Sequence, residues 1–131
     1  MMNSKLHHFA YDIRPNSLEL IIELFEQLGC EMTYREGDER WCMFQQKPLS
    51  IDIQIIETED QQILPIEKKI NTHIAFISTT HKEDVEKIKQ WAENKGLTFR
   101  QGGWSDIELW FDLPDLFINF VIEIMHTSMI E

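Results

Sequence analysis

The 131-residue chain has room for one domain of ordinary size, and neither half is long enough to bury a robust core alone. Its formal net charge of −11 disfavours nucleic acid, since neutralising phosphates needs clustered Lys and Arg. The longest mixed-basic stretch, Glu67-Lys68-Lys69, reads as solvated linker, and no apolar run approaches membrane-spanning length.

Leu6 to Ile13 reads as a strand. Asn16 with Glu19 offers a capping box for a helix whose stripe is Leu18, Ile21, Ile22, Phe25 and Leu28, ended by Gly29. Strands follow at Glu31 to Arg35, Arg40 to Gln46 and Leu49 to Glu57, with turn signals at Gly37-Asp38 and Lys47-Pro48. Residues 58–70, rich in polar groups and holding Pro65, read as a linker between a module at 1–57 and a second at 71–126. There the order repeats. Asn71 to Ser78 is a strand, and Thr80 with Glu83 caps a helix with stripe Val85, Ile88, Trp91 and Ala92, stopped at Gly96. Strands are expected at Leu97 to Gln101, Asp106 to Asp112 and Ile118 to Met125. The fold class is α+β, two βαβββ modules. Cys30 and Cys42 match no zinc spacing and read as structural thiols. The N-terminus has no basic region leading into an apolar run, so a reducing, cytoplasmic setting is expected.

The modules echo one another in sequence. Leu6-His7-His8-Phe9-Ala10-Tyr11 returns as Asn71-Thr72-His73-Ile74-Ala75-Phe76, a shift of 73 − 8 = 65 residues. Thr33-Tyr34-Arg35-Glu36-Gly37 returns at the same shift as Thr98-Phe99-Arg100-Gln101-Gly102. Duplication is the economical reading, with both histidines at equivalent places facing one cavity.

Strand parity sorts the side chains. Phe9, Tyr11 and Ile13 suit the face under the helix, opposite His8, Ala10 and Asp12; Leu49, Ile51, Ile53 and Ile55 stand opposite Ser50, Asp52 and Gln54. Glu123, between Val121 and Met125 in an apolar strand, is costly as an ionised carboxylate unless something neutralises it. A cation held with His8 and His73 would do so, and Gln54 could add a neutral oxygen. His7, His81 and His126 read as structural or surface residues.

At these residues the chain resembles the vicinal oxygen chelate superfamily: glyoxalase I, methylmalonyl-CoA epimerase, bleomycin-resistance proteins and extradiol dioxygenases. The resemblance covers nearly the whole chain. Its marks are the His-apolar-Ala openings at His8 and His73 and the apolar strand around Glu123. It implies a glyoxalase-like half-barrel cavity and a metal set of His8, Gln54, His73 and Glu123, closest to the epimerase and glyoxalase I branches. The 65-residue shift maps Gln54 onto Asn119 instead, leaving two candidates for the fourth position.

The implied activity is a metal-dependent isomerase or lyase that stabilises an enediolate beside a substrate carbonyl. The ion would be Zn, Ni, Co, Mn or Fe. Glu123 or Glu108 would be the base, Trp41, Met43 and Trp110 would line the cavity, and Arg35 and Arg100 would meet an anionic substrate. Its partners would be a small-molecule substrate and a second copy in a homodimer, with neither nucleic acid nor membrane. The alternatives are a metal-free binder of the bleomycin-resistance type and an extradiol dioxygenase using His8, His73 and Glu123 as a facial triad.

Overall fold

A computed structural model describes residues 2–59 and 64–130. They fall into two compact units whose boundary lies between residues 61 and 62. Among the described residues no helix is long and apolar enough to cross a membrane.

The first unit contains β1 (His8–Ile13), α1 (Leu18–Gln27), β2 (Glu31–Tyr34), β3 (Trp41–Gln45) and β4 (Asp52–Glu57). Its sheet order is β1-β4-β3-β2, with β1 and β4 parallel. The α1 stripe buries Leu18, Ile21, Leu24 and Phe25. Ile13, Cys42, Phe44 and Ile55 are buried in the same core, and the rings of Phe25 and Phe44 meet at 4.8 Å. Alternation in β3 leaves Trp41 and Met43 half-buried on the opposite face. Three expected apolar positions fall outside this core. Phe9 is 51% exposed, and β4 starts at Asp52, which leaves Leu49 62% and Ile51 37% exposed before it.

The expected capping box does not form. Asn16 sits in the left-handed region at φ 63°, and Ser17 occupies the cap position without a side-chain bond. Glu57 does the capping from the end of β4: its Oε2 accepts the Leu18 amide at 3.0 Å. Arg40 bridges this carboxylate to Glu19, donating to Glu57 Oε2 at 2.7 Å and to both Glu19 oxygens at 2.7 and 2.8 Å. The Arg40 hydrogen bond holds Glu19 down at about 2. Burial alone would raise Glu57, but Arg40 and the Leu18 amide outweigh it and the carboxyl is lowered. Both folded values lie below the unfolded ones, so this stabilisation is present above pH ~4.5 and is lost as acid titrates the pair. Glu57→Ala is expected to cost roughly 0.5–2 kcal/mol, the range for a lost helix cap, read as a lower urea midpoint.

The second unit contains α2 (Ile66–Lys69), β5 (His73–Ser78), α3 (His81–Asn94), β6 (Arg100–Ser105), β7 (Glu108–Asp112) and β8 (Val121–His126), in sheet order β5-β8-β7-β6. Val85, Ile88 and Ala92 of α3 are buried, as are Phe111, Ile122 and Ile124 of the sheet. The start of α3 is again not a capping box: Ser78 Oγ and Thr80 Oγ1 both donate to Asp84, at 2.6 and 3.0 Å, where Glu83 was expected. The solvated reading of Lys69 is also overturned. Lys69 is 1% exposed, its Nζ 2.8 Å from Asp112 Oδ1 and donating to the Phe117 carbonyl at 2.8 Å. A four-residue helix turns this lysine inward, which composition cannot reveal. Cys30 and Cys42 are free and buried, each thiol pushed up to about 11 by burial. Such thiols are poor nucleophiles, in keeping with the structural reading.

The duplication holds, but its shift grows along the chain. His8 and His73 open β1 and β5, 73 − 8 = 65 residues apart. Gly29 and Gly96, both at positive φ after their helices, are 96 − 29 = 67 apart. Ala10 stands opposite Gln54 and Ala75 opposite Glu123, where the shift is 123 − 54 = 69. Register thus makes Glu123, not Asn119, the counterpart of Gln54. It also dissolves the second echo. Met43 pairs with Gln54 and Tyr34, while Trp110 pairs with Glu123 and Gly102, so Tyr34 corresponds to Gly102 rather than Phe99. Arg35 and Arg100 are therefore not structural mates.

Candidate functional site

The face of each sheet turned away from its helix carries the candidate residues. In the first unit, His8 stands opposite Asp52, Ala10 opposite Gln54, Met43 opposite Gln54 and Trp41 opposite Ile56. Cross-strand partners share a face, so His8, Gln54, Met43 and Trp41 lie on one surface. The His8 and His7 imidazoles meet Nδ1 to Nδ1 at 3.0 Å, and Tyr34 stacks on Trp41 at 5.5 Å.

In the second unit the same face is folded into a cleft of about 320 Å³ lined by His73, Trp104, Glu108, Glu123 and Met125. His73 Nε2 lies 3.5 Å from Glu123 Oε1. The other imidazole nitrogen, Nδ1, is 3.0 Å from the Ile70 carbonyl. A carbonyl only accepts, so Nδ1 carries the proton and Nε2 is turned to the carboxylate. Trp104 packs against the imidazole at 5.2 Å. Trp110 stands opposite Glu123 in β7, and its indole lies where a side chain on Gly102 would sit: a Cβ there would come within 2.5 Å of Cζ2. Gly102 is thus a close-approach glycine that admits the tryptophan.

Glu123 is 4% exposed. Burial raises its carboxyl above the usual range; the His73 charge opposes the shift and Glu108 adds to it. Glu108 lines the same cleft and accepts from Ser105 Oγ at 3.0 Å. The chemistry of the donor set fits a cation. His73 Nε2 and Glu123 Oε1 lie 3.5 Å apart, so a proton between them, or a positive ion in its place, would satisfy both. Among the described residues, however, no group of three or more His, Cys, Asp or Glu side chains is gathered in metal-holding geometry.

The two arginines are engaged within their own units. Arg35 Nη2 is 3.7 Å from Glu19 on α1, and Arg100 pairs in register with Asp112. His81 is buried with Nε2 2.7 Å from the Asp106 carbonyl, and its ring meets His126 at 5.2 Å, a structural arrangement as expected. Trp104 and Met125 were missed as cleft residues. Trp104 follows Gly102-Gly103 in a stretch outside every expected strand, and only the extension of β6 to Ser105 brings it over His73.

No family model matches the sequence, and no curated protein matches it. Solved structures do. A glyoxalase-like protein from Bacillus halodurans aligns over 95% of this chain and 96% of its own, with TM-score 0.61 and 17% identity. The fosfomycin resistance protein FosX from Listeria monocytogenes, as a variant complexed with Mn(II) and 1S,2S-dihydroxypropylphosphonic acid, aligns over 95% and 93% with TM-score 0.58 and 19% identity. The oxidase ChaP-H2 aligns over 95% and 94% with TM-score 0.55 and 18% identity. Paired βαβββ modules, matched along nearly their full length by these proteins, give this chain a glyoxalase-like α+β fold.

Proposed function

We propose that this protein is a metal-dependent isomerase or lyase acting on a small molecule at the carbon beside a carbonyl. The observation that carries the reading is the pairing of His73 with the buried carboxylate of Glu123 in a cleft that also holds a second carboxylate, Glu108. His8, Gln54, His73 and Glu123 would hold the ion, each module giving one imidazole and one oxygen donor. The register match of Gln54 with Glu123 supports that set. A divalent ion so held supplies Lewis-acid stabilisation of negative charge on a substrate oxygen.

The protein's own residues do the rest. The Ile70 carbonyl fixes the His73 tautomer, and Trp104 packs against the ring and restricts its tilt. Glu108, oriented by Ser105, takes the proton: the C–H bond next to the carbonyl breaks and its electron pair moves toward the carbonyl oxygen. Exchange of that proton with solvent at the Glu108 carboxyl, followed by delivery of a proton to the same carbon or to the neighbouring one, completes an isomerisation without net change of atoms. Trp104, Trp110 and Met125 give the substrate apolar walls.

Deuterium exchange from solvent into panels of thioesters and hemithioacetals tests the reading. The expected result is exchange beside one carbonyl class, lost on removing metal and reduced about 10²-fold or more by Glu108→Gln. No exchange with any of them rejects the isomerase class. A second reading, capture of a ligand without chemistry, is favoured by the 44% exposure of Trp104. Ligand binding by metal-free protein equal to that of the loaded protein would establish it.

A further inference from the structure

One tight hairpin carries both Trp104 and Glu108 to the cleft of the second unit. Ser105 pairs with Glu108, leaving Asp106 and Ile107 as a two-residue turn, and the register slips by one residue at Trp104. Such a slip re-aims a side chain, here the indole that packs on His73. Two-residue hairpin turns ordinarily use left-handed backbone at glycine or asparagine. This turn does not, because Asn16 is the one non-glycine residue at positive φ among the described residues. Its polar groups are held from outside instead. The Ile107 amide donates to Ser105 Oγ at 3.3 Å, the Ile107 carbonyl accepts the His126 amide at 2.8 Å, and the Asp106 carbonyl faces His81 Nε2 at 2.7 Å. A carbonyl only accepts, so Nε2 is the donor. His81 opens α3 and is 7% exposed. A buried histidine thus clamps the turn to the helix, on the face of the sheet opposite the cleft.

We propose that His81 is a positioning residue for Glu108; this rests on the reading above, in which Glu108 takes the proton. The path is short. His81 fixes the Asp106 carbonyl, the next amide is fixed on Ser105 Oγ, and the same hydroxyl donates to Glu108 Oε1 at 3.0 Å. A turn released from the helix would let Ser105 rotate and carry the carboxylate out of reach of the substrate, and misplacement by an ångström is costly in proton transfer. The first unit ties its own hairpin to its helix differently. There Arg40, which precedes β3, meets Glu19 of α1 at 2.7 Å, with side chains 40% and 60% exposed. An exposed pair competes with water, whereas the imidazole bond of the second unit is largely shielded from it. The firmer tie belongs to the hairpin that places a carboxylate beside Glu123.

The test is solvent deuterium exchange into the same thioesters and hemithioacetals, resolved into kcat and KM, with the full chain supplied with Mn(II), Ni(II) or Zn(II). The variants are His81→Phe, which keeps a ring without a donor, and His81→Gln, which keeps an N–H at similar reach. Urea midpoints establish that each variant assayed is folded. The expected result is a fall in kcat of about tenfold or more in His81→Phe with KM unchanged, and recovery of most of it in His81→Gln. In a Glu108→Gln background His81→Phe is expected to add nothing, because it acts through that carboxylate. An equal fall in both backgrounds overturns the inference, as does a folded His81→Phe with wild-type kcat, and either leaves the metal-dependent reading intact. No exchange by the wild type with any of these substrates overturns both. Should His81→Phe not fold, His81→Asn, polar but too short to span the gap, takes its place. Failure of both to fold overturns the inference, because the histidine would then serve the fold alone.

Discussion

Glu123→Gln is expected to make the metal-free protein more stable at neutral pH while reducing divalent-ion binding. Burial raises the Glu123 carboxyl above its unfolded value near 4.5, with His73 opposing and Glu108 reinforcing the shift. Between the unfolded value and the raised folded one, the native state binds more protons than the unfolded state. Stability therefore falls as pH rises through that window, and above it the ionised form carries its full burial cost. Glutamine keeps the shape without the charge. The expected gain at pH 7 is about 1–3 kcal/mol in urea unfolding, with a flatter pH profile from pH 4 upward. Ion affinity should fall about tenfold or more in Glu123→Gln, and likewise in His73→Ala, which removes the facing nitrogen. Protein purified without a histidine tag and analysed for bound metal gives the second readout. A Glu123→Gln variant that loses stability at pH 7 and binds metal as well as the wild type would refute the assignment.

The largest stability effect is expected from Lys69→Met. Lys69 and Asp112 are each 1% exposed, and the lysine also satisfies the Phe117 carbonyl. Removing one partner of such a pair strands the other charge in the interior, at a cost of roughly 3–5 kcal/mol. Burial already raises the Asp112 carboxyl despite the opposing Lys69 bond, and once the ammonium is gone only Arg100 and the Leu113 amide still oppose it. The double variant Lys69→Met/Asp112→Leu is expected to recover most of the loss, since a buried pair and an apolar replacement of similar volume are often equivalent. Urea midpoints of the single and double variants decide this. A single variant within about 0.5 kcal/mol of wild type, the size of an ordinary surface substitution, would mean that the pair carries little of the fold. The consequence extends to the cleft. Lys69 ties α2 to the end of β7, and the Ile70 carbonyl that orients His73 follows it directly. Loosening α2 should therefore also loosen the imidazole.

Several features were legible because they depend on local pattern. The alternation of β3 and the stripe of α1 announce which face meets the helix, and the His-apolar-Ala openings of β1 and β5 announce the repeat. Other features were not legible, for reasons that can be named. A single shift of 65 residues could not follow insertions inside the second module, so it offered Asn119 for Glu123 and matched Arg35 to Arg100. The helix caps look like capping boxes in sequence, but the α1 cap comes from Glu57, 39 residues away. Asp52 was noted only as a polar residue beside Gln54; that it is buried and unsatisfied is a property of its surroundings.

What the sequence determined by itself was the order of elements, the duplication and the chemical inventory: two strand-borne histidines, a glutamate in an apolar strand and an excess of acid. Periodicity and composition are carried by residues near one another in the chain, so they survive without knowledge of the fold. Only the tertiary structure decided partners. Which carboxylate faces His73, which lysine is interior, and which residue of β8 corresponds to Gln54 all depend on strand register and burial. Both are set by contacts between residues tens of positions apart, and a change of one residue in register turns a side chain to the other face of the sheet.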